Sequence, residues 1–394
     1  MTRRARTMTV TWSEANARRL DRQFLPDGAS PATGGGDAVA GAVAAMLGAH
    51  AQVLSAAELS VGLRAAGVTR TDVRTSLWTG RTLVKTFGPR GTVHLLPAAD
   101  LPMWTGALSA VPAGTGPFSR DARMTPEQVE AVLAAVADAL TGAELTIDEL
   151  SEEVVARTGP WAGDPVMPTF QGMWPRWRQV LHLAGHRGAL RYAPNRGRKA
   201  TYTNPGVVPL PAPEATASLV RRYLRAYGPA TPDHFARWLA APRGWAGRLF
   251  EELAGAGTIE RVDFEDCGAA WVVAGDTLFP SAPPRGVRLL PYFDAFAIAS
   301  RPRERLYPGA AYERAPAGGQ AGNFPVLLVD GAVAGVWHQR RSGKRIAVTV
   351  EPLTAATLDG PALRELEGQV ERLGEVMEGV PALTVGQVDV GGHA

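Results

Sequence analysis

Two polar side chains able to hold and activate a water molecule lie two residues apart, at His50 and Gln52, directly after an almost wholly apolar stretch. An imidazole, with an ordinary pKa of about 6.5, can take a proton from water near neutral pH, and an amide can orient that water. Asp37 follows three glycines and is a typical helix N-cap, so residues 38–48 are predicted to form a buried helix ending near Gly48. The polar pair would then emerge from the interior.

Other patterns that carry enzyme chemistry are weak or missing. The carboxylates of residues 127–130 and 152–153 fall on helices predicted to be solvated. A Gly-rich phosphate loop and a Gly-x-Ser-x-Gly elbow do not occur. His182 and His186 are four residues apart on one helix face, but no third ligand lies near them in sequence. We therefore expect no metal site and no cofactor.

The composition is that of a globular protein able to bury large cores. With 394 residues, 45% of them hydrophobic and 20% charged, the chain is long enough for two to three domains. Cys267 is the single cysteine, which excludes disulfides within the chain and cysteine-rich zinc sites. No apolar run reaches the roughly 20 residues of a membrane span, and the N-terminal arginines lack the apolar stretch of a signal peptide. We expect a cytoplasmic, nucleoid-associated protein with no membrane partner.

The basic residues are clustered although the formal net charge is only +3. Residues 176–199 contain arginines and one lysine but no Asp or Glu, and a second basic group surrounds the turn at Ser342-Gly343. Basic hairpins of this kind can follow a phosphate backbone or enter a minor groove. The alternative is a solvated edge whose charges block aggregation. The residues predicted to bind DNA are Arg187, Arg191, Arg196, Arg198, Lys199, Gln339, Arg340, Arg341, Lys344 and Arg345.

The same order of elements is predicted three times: a helix, a second helix, and two strands around a turn. This order is typical of a winged helix. The first unit is predicted from helices 56–66 and 71–78 with strands 82–87 and 91–96. The second comprises helices 147–158 and 171–184 with strands 189–193 and 200–203. The third comprises helices 232–239 and 245–256 with strands 258–264 and 270–274.

Two of these units have further features. Trp174 and Trp177 lie at helical spacing in the second unit and are predicted to be core residues. The third wing carries Glu260, Asp263 and Glu265, so it is a poor candidate for contact with phosphate.

Beyond Val287 the pattern changes to strands 287–290, 324–329, 333–338 and 345–350, closed by a helix over residues 361–378. The predicted fold class is α+β, with three tandem winged-helix units and a C-terminal antiparallel sheet or barrel. The predicted domains are residues 1–112, 113–212, 213–280 and 281–394.

Five short segments resemble, in order and spacing, the AlkZ/YcaQ-like family of bacterial winged-helix DNA glycosylases, some of which protect producers of DNA-alkylating antibiotics. The resemblance covers nearly the full length. The segments are 12–20 (WSEANARRL), 47–52 (LGAHAQ), 90–96 (RGTVHLL), 289–294 (LLPYFD) and 329–337, which contains VDG and GVW.

The resemblance implies an open, C-shaped arrangement of the winged helices around duplex DNA. The family's catalytic signature is Gln-x-Gln or Gln-x-Asp, and the aligned triplet is His50-Ala51-Gln52, so only its second position matches. His50 is assigned as base or water holder and Gln52 as water positioner. The departure from the signature leaves two possibilities: a subclass that uses His-x-Gln for a particular adduct, or a relative that has lost or changed the activity. A structural interpretation needs no substrate at all: His50 caps a helix end and Gln52 bonds the backbone.

Four further residues are predicted to support this site without breaking bonds. Arg90, Thr92 and His94 belong to a family-like motif and are assigned to the catalytic wall. Asp294 ends a predicted buried strand, where an Asp commonly bonds backbone or an arginine.

The leading hypothesis is a monofunctional glycosylase that removes N7-alkylguanine from duplex DNA, including bulky antibiotic-type adducts, in base excision repair or self-resistance. Alkylation at N7 gives guanine a positive charge, so the base leaves neutral and needs no strong general acid. Lys85 is the lysine nearest the triplet in sequence, so no Schiff-base chemistry is expected. The partner would be double-stranded DNA carrying alkylated purines, bound by a monomer. The alternatives are a non-catalytic winged-helix DNA-binding or regulatory protein, and a protein-binding scaffold.

Overall fold

The computed structural model describes residues 8–26, 29–31, 37–112, 119, 121–169, 172–316, 322, 324–354 and 358–390. The three glycines predicted to lead into the first buried helix lie outside these residues. Among the helices of the described residues, none combines the length and apolar character needed to cross a membrane.

The described residues form a mixed α+β structure. Its helices are α1 (Trp12–Arg22), α2 (Ala38–Ala45), α3 (Leu54–Gly62), α4 (Arg70–Trp78), α5 (Leu101–Ser109), α6 (Pro126–Ala139), α7 (Ile147–Thr158), α8 (Leu181–His186), α9 (Ala212–Tyr227), α10 (Pro232–Leu239), α11 (Arg243–Gly255), α12 (Ala295–Ala299), α13 (Arg303–Leu306), α14 (Ala310–Arg314) and α15 (Gly360–Val376). Its strands are β1 (Thr9–Val10), β2 (Ala49–His50), β3 (Leu83–Phe87), β4 (Val93–Pro97), β5 (Glu144–Thr146), β6 (Pro165–Thr169), β7 (Gly172–Pro175), β8 (Arg191–Arg196), β9 (Lys199–Thr203), β10 (Ile259–Phe264), β11 (Gly268–Val273), β12 (Val287–Leu290), β13 (Val326–Val329), β14 (Ala332–Ser342), β15 (Arg345–Pro352) and β16 (Val380–Val385).

Local capping signals place the helix ends. Asp37 accepts a hydrogen bond from the Val39 backbone N–H (2.9 Å), which confirms it as the N-cap of α2. Capping boxes begin α7 at Thr146 and α10 at Thr231, and both helices have the predicted bounds. The helix before His50 is shorter than predicted: it ends at Ala45, and the chain turns through Leu47 and Gly48, both with positive φ.

Each pair of predicted wing strands forms a hairpin, and each hairpin gains a third strand that the sequence pattern missed. The three sheets have the orders β2-β4-β3, β5-β9-β8 and β1-β10-β11. The added strands have only two or three residues, too few for a recognisable alternation. The first of them, β2, carries His50.

The C-terminal sheet has the order β12-β13-β14-β15-β16 and curls into a half-barrel. Its first four strands are antiparallel neighbours, as predicted, but β16 pairs with β15 in parallel. The expectation of a purely antiparallel sheet was therefore wrong. The parallel pair arises because α15 crosses over between the two strands.

The single helix predicted over residues 171–184 was also wrong. The described part of that segment is strand β7, a 3₁₀ turn over Arg176–Val180, and the start of α8. Pro175 disfavours helical geometry in the residue before it, which keeps Trp174 extended. Trp177 is fully buried as predicted, whereas Trp174 is 44% exposed, with the Arg178 guanidinium 3.9 Å from its ring centre.

Candidate active site

His50 is positioned by backbone pairing on β2, an edge strand of a three-stranded sheet. It lies directly opposite His94 in the antiparallel pair β2-β4, and the Ala51 N–H continues the pairing by donating to the Val93 carbonyl (2.7 Å). The turn before it needs glycine at position 48, where φ is +96° and a Cβ would lie 2.9 Å from the Leu96 side chain. The local backbone therefore fixes the direction in which the imidazole leaves the strand.

Two rings hold the His50 imidazole, which is 9% exposed. The His94 ring meets it edge-on, with 5.2 Å between ring centres. The centre of the Phe293 ring lies 4.5 Å from the centre of the imidazole, and the two ring planes are tilted by 38°. Contacts of this kind limit the rotamers that His50 can adopt, so the imidazole is held in place before substrate arrives.

Gln52 is exposed and lies between β2 and the start of α3. It follows the buried Ala51 by one residue, so the chain passes from the interior at His50 to the surface at Gln52. The predicted pair therefore consists of one buried and one solvent-facing group, which is what a site needs to hold a water that enters from solvent.

His94 is a neutral hydrogen-bond donor at neutral pH. Burial is the largest cause that lowers its pKa well below the usual 6.5, and the nearby His50 and Arg90 lower it further. The Thr92 carbonyl lies 2.9 Å from its Nδ1 and can only accept, so Nδ1 carries the proton. His94 therefore adds no positive charge beside His50.

Arg90 and Thr92 shape the turn that precedes β4, the strand on which His94 lies. Arg90 has a φ of +64° and donates from Nη1 to the Trp238 carbonyl (2.6 Å), which ties this loop to α10. Burial lowers the pKa of Arg90 to about 10, so it remains charged at neutral pH. The Thr92 hydroxyl donates to the Pro89 carbonyl at 3.1 Å. Both side chains are engaged in holding the loop.

Asp294 lies fully buried behind the site. Its carboxylate receives two hydrogen bonds from Arg64, at 2.7 and 2.8 Å, and another from the Ser60 hydroxyl. It also caps α12 by accepting the Phe296 N–H. These bonds join α3 to the segment after β12, and so fix Phe293, the residue that precedes Asp294, against His50.

Sequence reasoning gave no role to Phe293 or Tyr227. Phe293 has a φ of +56°, rare for a bulky residue, and its N–H donates to the Gly322 carbonyl at 3.1 Å. The buried Tyr227 hydroxyl donates to the Met46 carbonyl (2.5 Å) in the turn before His50. Phe293 lies within the family-like segment 289–294, which was a usable signal, whereas the isolated Tyr227 offered none.

Two arginines and one lysine predicted to contact DNA are paired with acidic residues of α6 and α7. Arg187 is bonded to Glu130, Arg196 to Glu149, and Lys199 to Asp148. Arg191 is half-buried and Arg198 is exposed at the turn between β8 and β9. The basic run in the sequence is therefore largely compensated in space by carboxylates that lie earlier in the chain.

The C-terminal hairpin is more openly basic. Arg340, Lys344 and Arg345 are exposed around the turn between β14 and β15, and Gln339 is half-buried at its base. Arg341 differs from them, because its guanidinium donates to the carbonyls of Gly343, Met377 and Glu378 and so caps the end of α15.

Three histidines, one buried (His94) and two half-buried (His186 and His234), make stability depend on pH. Burial lowers the pKa of His186 and of His234 to about 4, and that of His94 well below 6.5. Below pH 6.5 the unfolded chain binds protons at these residues and the folded chain does not, so stability falls as pH falls from 7 to 5. We expect up to about 1.4 kcal/mol per pH unit from each histidine.

The measurement is urea unfolding at several pH values. His94→Asn keeps an N–H donor for the Thr92 carbonyl. It should reduce the slope of the unfolding free energy against pH by the contribution of one histidine. The matched control is His338→Asn, since His338 also has a lowered pKa but is only half-buried. Equal slopes for wild type and His94→Asn would contradict a neutral His94.

The chain is similar in sequence and in fold to known DNA glycosylases. Residues 43–376 match the sequence model of a protein family whose description is "DNA glycosylase AlkZ-like". The chain belongs to that family. It is therefore a DNA glycosylase, an enzyme whose substrate is DNA.

Two comparisons point to one relative. An interstrand DNA cross-link repair glycosylase of Streptomyces sahachiroi is 32% identical over 356 residues, which cover 84% of this chain and 88% of that protein. The solved structure of the Streptomyces sahachiroi DNA glycosylase AlkZ is similar with a TM-score of 0.76 and 29% identity, and covers 96% of this chain and 100% of that one.

Proposed function

We propose that the chain is a monofunctional glycosylase that hydrolyses the N-glycosidic bond of N7-alkylguanine in duplex DNA, bulky antibiotic-type adducts included. Water attacks C1′ of the deoxyribose while the C1′–N9 bond breaks, and the electron pair of that bond neutralises the charged base. His50 takes the proton from the water and later passes it to solvent. Gln52 orients the water.

The observation that carries this proposal is the fixed His50 imidazole, with the exposed Gln52 two residues later in the chain. His50 is held by its strand and by the rings of His94 and Phe293. A neutral His94 does not oppose the protonation of His50 with a charge of its own. An oxocarbenium-like transition state with a neutral leaving base needs a placed water more than a strong acid.

We also propose that each helix pair with its three-stranded sheet is a winged helix, and that the three units are arranged in a C shape around duplex DNA. The supporting observations are the helix and strand orders α3-α4-β3-β4, α7-β6-β7-α8-β8-β9 and α10-α11-β10-β11, in which the second unit has the extra hairpin β6-β7 between its helices. The corresponding domains would be residues 1–112, 113–212 and 213–280, followed by the half-barrel of residues 281–394.

The test is incubation with a duplex that carries one N7-alkylguanine, followed by alkaline cleavage of abasic sites. Strand breaks that need alkali are the expected result for a monofunctional enzyme. Breaks without alkali would contradict the monofunctional assignment, and no breaks with small or bulky adducts would contradict N7-alkylguanine as substrate.

The basic hairpin is proposed to contact the DNA backbone through Arg340, Lys344 and Arg345. Each phosphate contact contributes about 0.9 to the slope of log binding constant against log salt, so Arg340→Ala should reduce that slope by about 1. Fluorescence anisotropy with an unmodified duplex measures it. Arg364→Ala, which removes an exposed arginine of α15, is the matched control. Equal slopes for the two variants would remove Arg340 from the interface.

A further inference from the structure

A cleft with a volume of about 410 Å³ lies between α9 and the end of β11. Its walls are three arginines of α9, Arg221, Arg222 and Arg225, and residues 273–276. None of these residues belongs to the candidate active site or to the hairpins predicted to bind DNA. The cleft therefore needs an explanation of its own.

The carboxylates beside this cleft are already bonded to arginines. Asp276 receives two hydrogen bonds from Arg22, at 2.8 and 2.5 Å, and its backbone carbonyl accepts from Arg18 at 2.9 Å. Arg222 is paired with Asp100 at 2.5 Å. These pairs leave Arg221 and Arg225 without an ion pair of their own among the described residues, although the charge of Arg225 contributes to the lowered pKa of Asp276.

Arg221 and Arg225 are exposed and lie one helical turn apart on α9, so both point along the same face. Within the described part of the chain, neither guanidinium has a carboxylate within 4.0 Å. Two planar guanidinium groups at this spacing can each offer a fork of N–H donors to one oxyanion.

Like charges are crowded behind this pair. Arg18 is 3% exposed, and among the described residues its Nε and Nη2 atoms have no hydrogen-bond partner. Burial lowers the pKa of Arg18 to about 9, and the charges of Arg22 and Arg225 act in the same direction, while the Asp276 carboxylate acts against them. A bound anion would relieve this repulsion.

We propose that the cleft binds phosphate groups, with Arg221 and Arg225 as the ligands. Phosphate suits it because its non-bridging oxygens, two in a diester and three in a monoester, can accept hydrogen bonds from both arginines. The source is the phosphodiester backbone of DNA or a small phosphate compound, and the two sources are distinguishable by experiment. The proposal does not depend on which base the enzyme removes.

The cleft lies on the opposite side of α9 from the contact that supports His50. Arg225 and Tyr227 are two residues apart, about 200° around the helix axis, and Tyr227 reaches the Met46 carbonyl. A duplex that touched both surfaces would have to extend around α9. DNA bound in the cleft would therefore be a flanking part of the duplex.

The test compares Arg221→Ala/Arg225→Ala with the control pair Arg248→Ala/Arg261→Ala, which removes two exposed arginines of α11 and β10. If DNA is the ligand, the slope of log binding constant against log salt for an unmodified duplex falls by about 2 in the first variant alone. If a small phosphate is the ligand, inorganic phosphate at constant ionic strength raises the Tm of the wild type and of the control pair by about 2 °C. The Tm of the Arg221→Ala/Arg225→Ala variant stays unchanged.

Either result supports the phosphate site and names its source. Arg221→Lys/Arg225→Lys, which keeps both charges, should retain most of the effect and separates loss of charge from damage to the fold. The proposal is overturned if the Arg221/Arg225 variant matches the control pair in both measurements.

Discussion

Alanine at His50 is expected to reduce the single-turnover rate of base release by about 10² to 10⁴-fold, the usual contribution of a positioned acid or base. The reason is that the imidazole is fixed by Phe293 and His94, so that a water beside it has one defined position. Gln52→Ala should lower the same rate by about 10²-fold. The double variant should be only slightly slower than His50→Ala, because both residues hold the same water. The measurement is alkali-dependent strand cleavage of a duplex with one N7-alkylguanine.

His50→Gln is the control for this prediction. It replaces one water-holding side chain by another and produces the Gln-x-Gln signature of the family, so we expect it to retain activity within about tenfold. Binding of an unmodified duplex should be equal in all the variants. A His50→Ala enzyme that works within about threefold of wild type would remove His50 from the chemistry.

Loss of the Asp294 carboxylate is expected to destabilise the protein by about 3 to 5 kcal/mol, since it leaves the Arg64 charge buried without its partner. Both side chains are 0% exposed in the pair. Loss of the α12 cap adds to this cost. Urea unfolding of Asp294→Ala measures the change in the free energy of unfolding, and activity should fall with it as Phe293 loses its support.

The control is Glu130→Ala, which breaks the Arg187–Glu130 pair, where the side chains are 45% and 61% exposed. An exposed pair of this kind contributes about 1 kcal/mol or less. Arg64→Met/Asp294→Asn, which removes both charges, should be more stable than Asp294→Ala. If Asp294→Ala were as stable as Glu130→Ala, the buried pair would not be the link that holds the site together.

Much of the secondary structure could be predicted because its signals are local. Thr146 and Thr231 begin α7 and α10 through bonds to residues three positions later, and Asp330-Gly331 marks the turn between β13 and β14. The parallel strand β16 could not be predicted from local signals, because its pairing with β15 depends on the path of α15 between the two strands.

Candidate residues for the site could be proposed from the sequence, but their surroundings could not. The family-like triplet draws attention to His50 and Gln52, whereas the ring that packs on His50 comes from Phe293, far along the chain. The charges show the same limit. Arg187 and Lys199 belong to a run without acidic residues in sequence, yet they meet Glu130 and Asp148 in space. Pairing between distant segments depends on the completed fold.

The parallel pair β1-β10 has a consequence for the order in which the chain can fold during synthesis. Thr9 lies opposite Asp263, and the Arg19 side chain bonds the carbonyls of Pro229 and Arg301. At about 5 to 20 residues per second, the ribosome needs roughly 12 to 50 s to reach these partners after it has made α1. Helix α1 thus precedes its partners by more than 200 residues and is among the last of the described helices to find its native contacts, and in that interval its arginines and apolar face are available to chaperones.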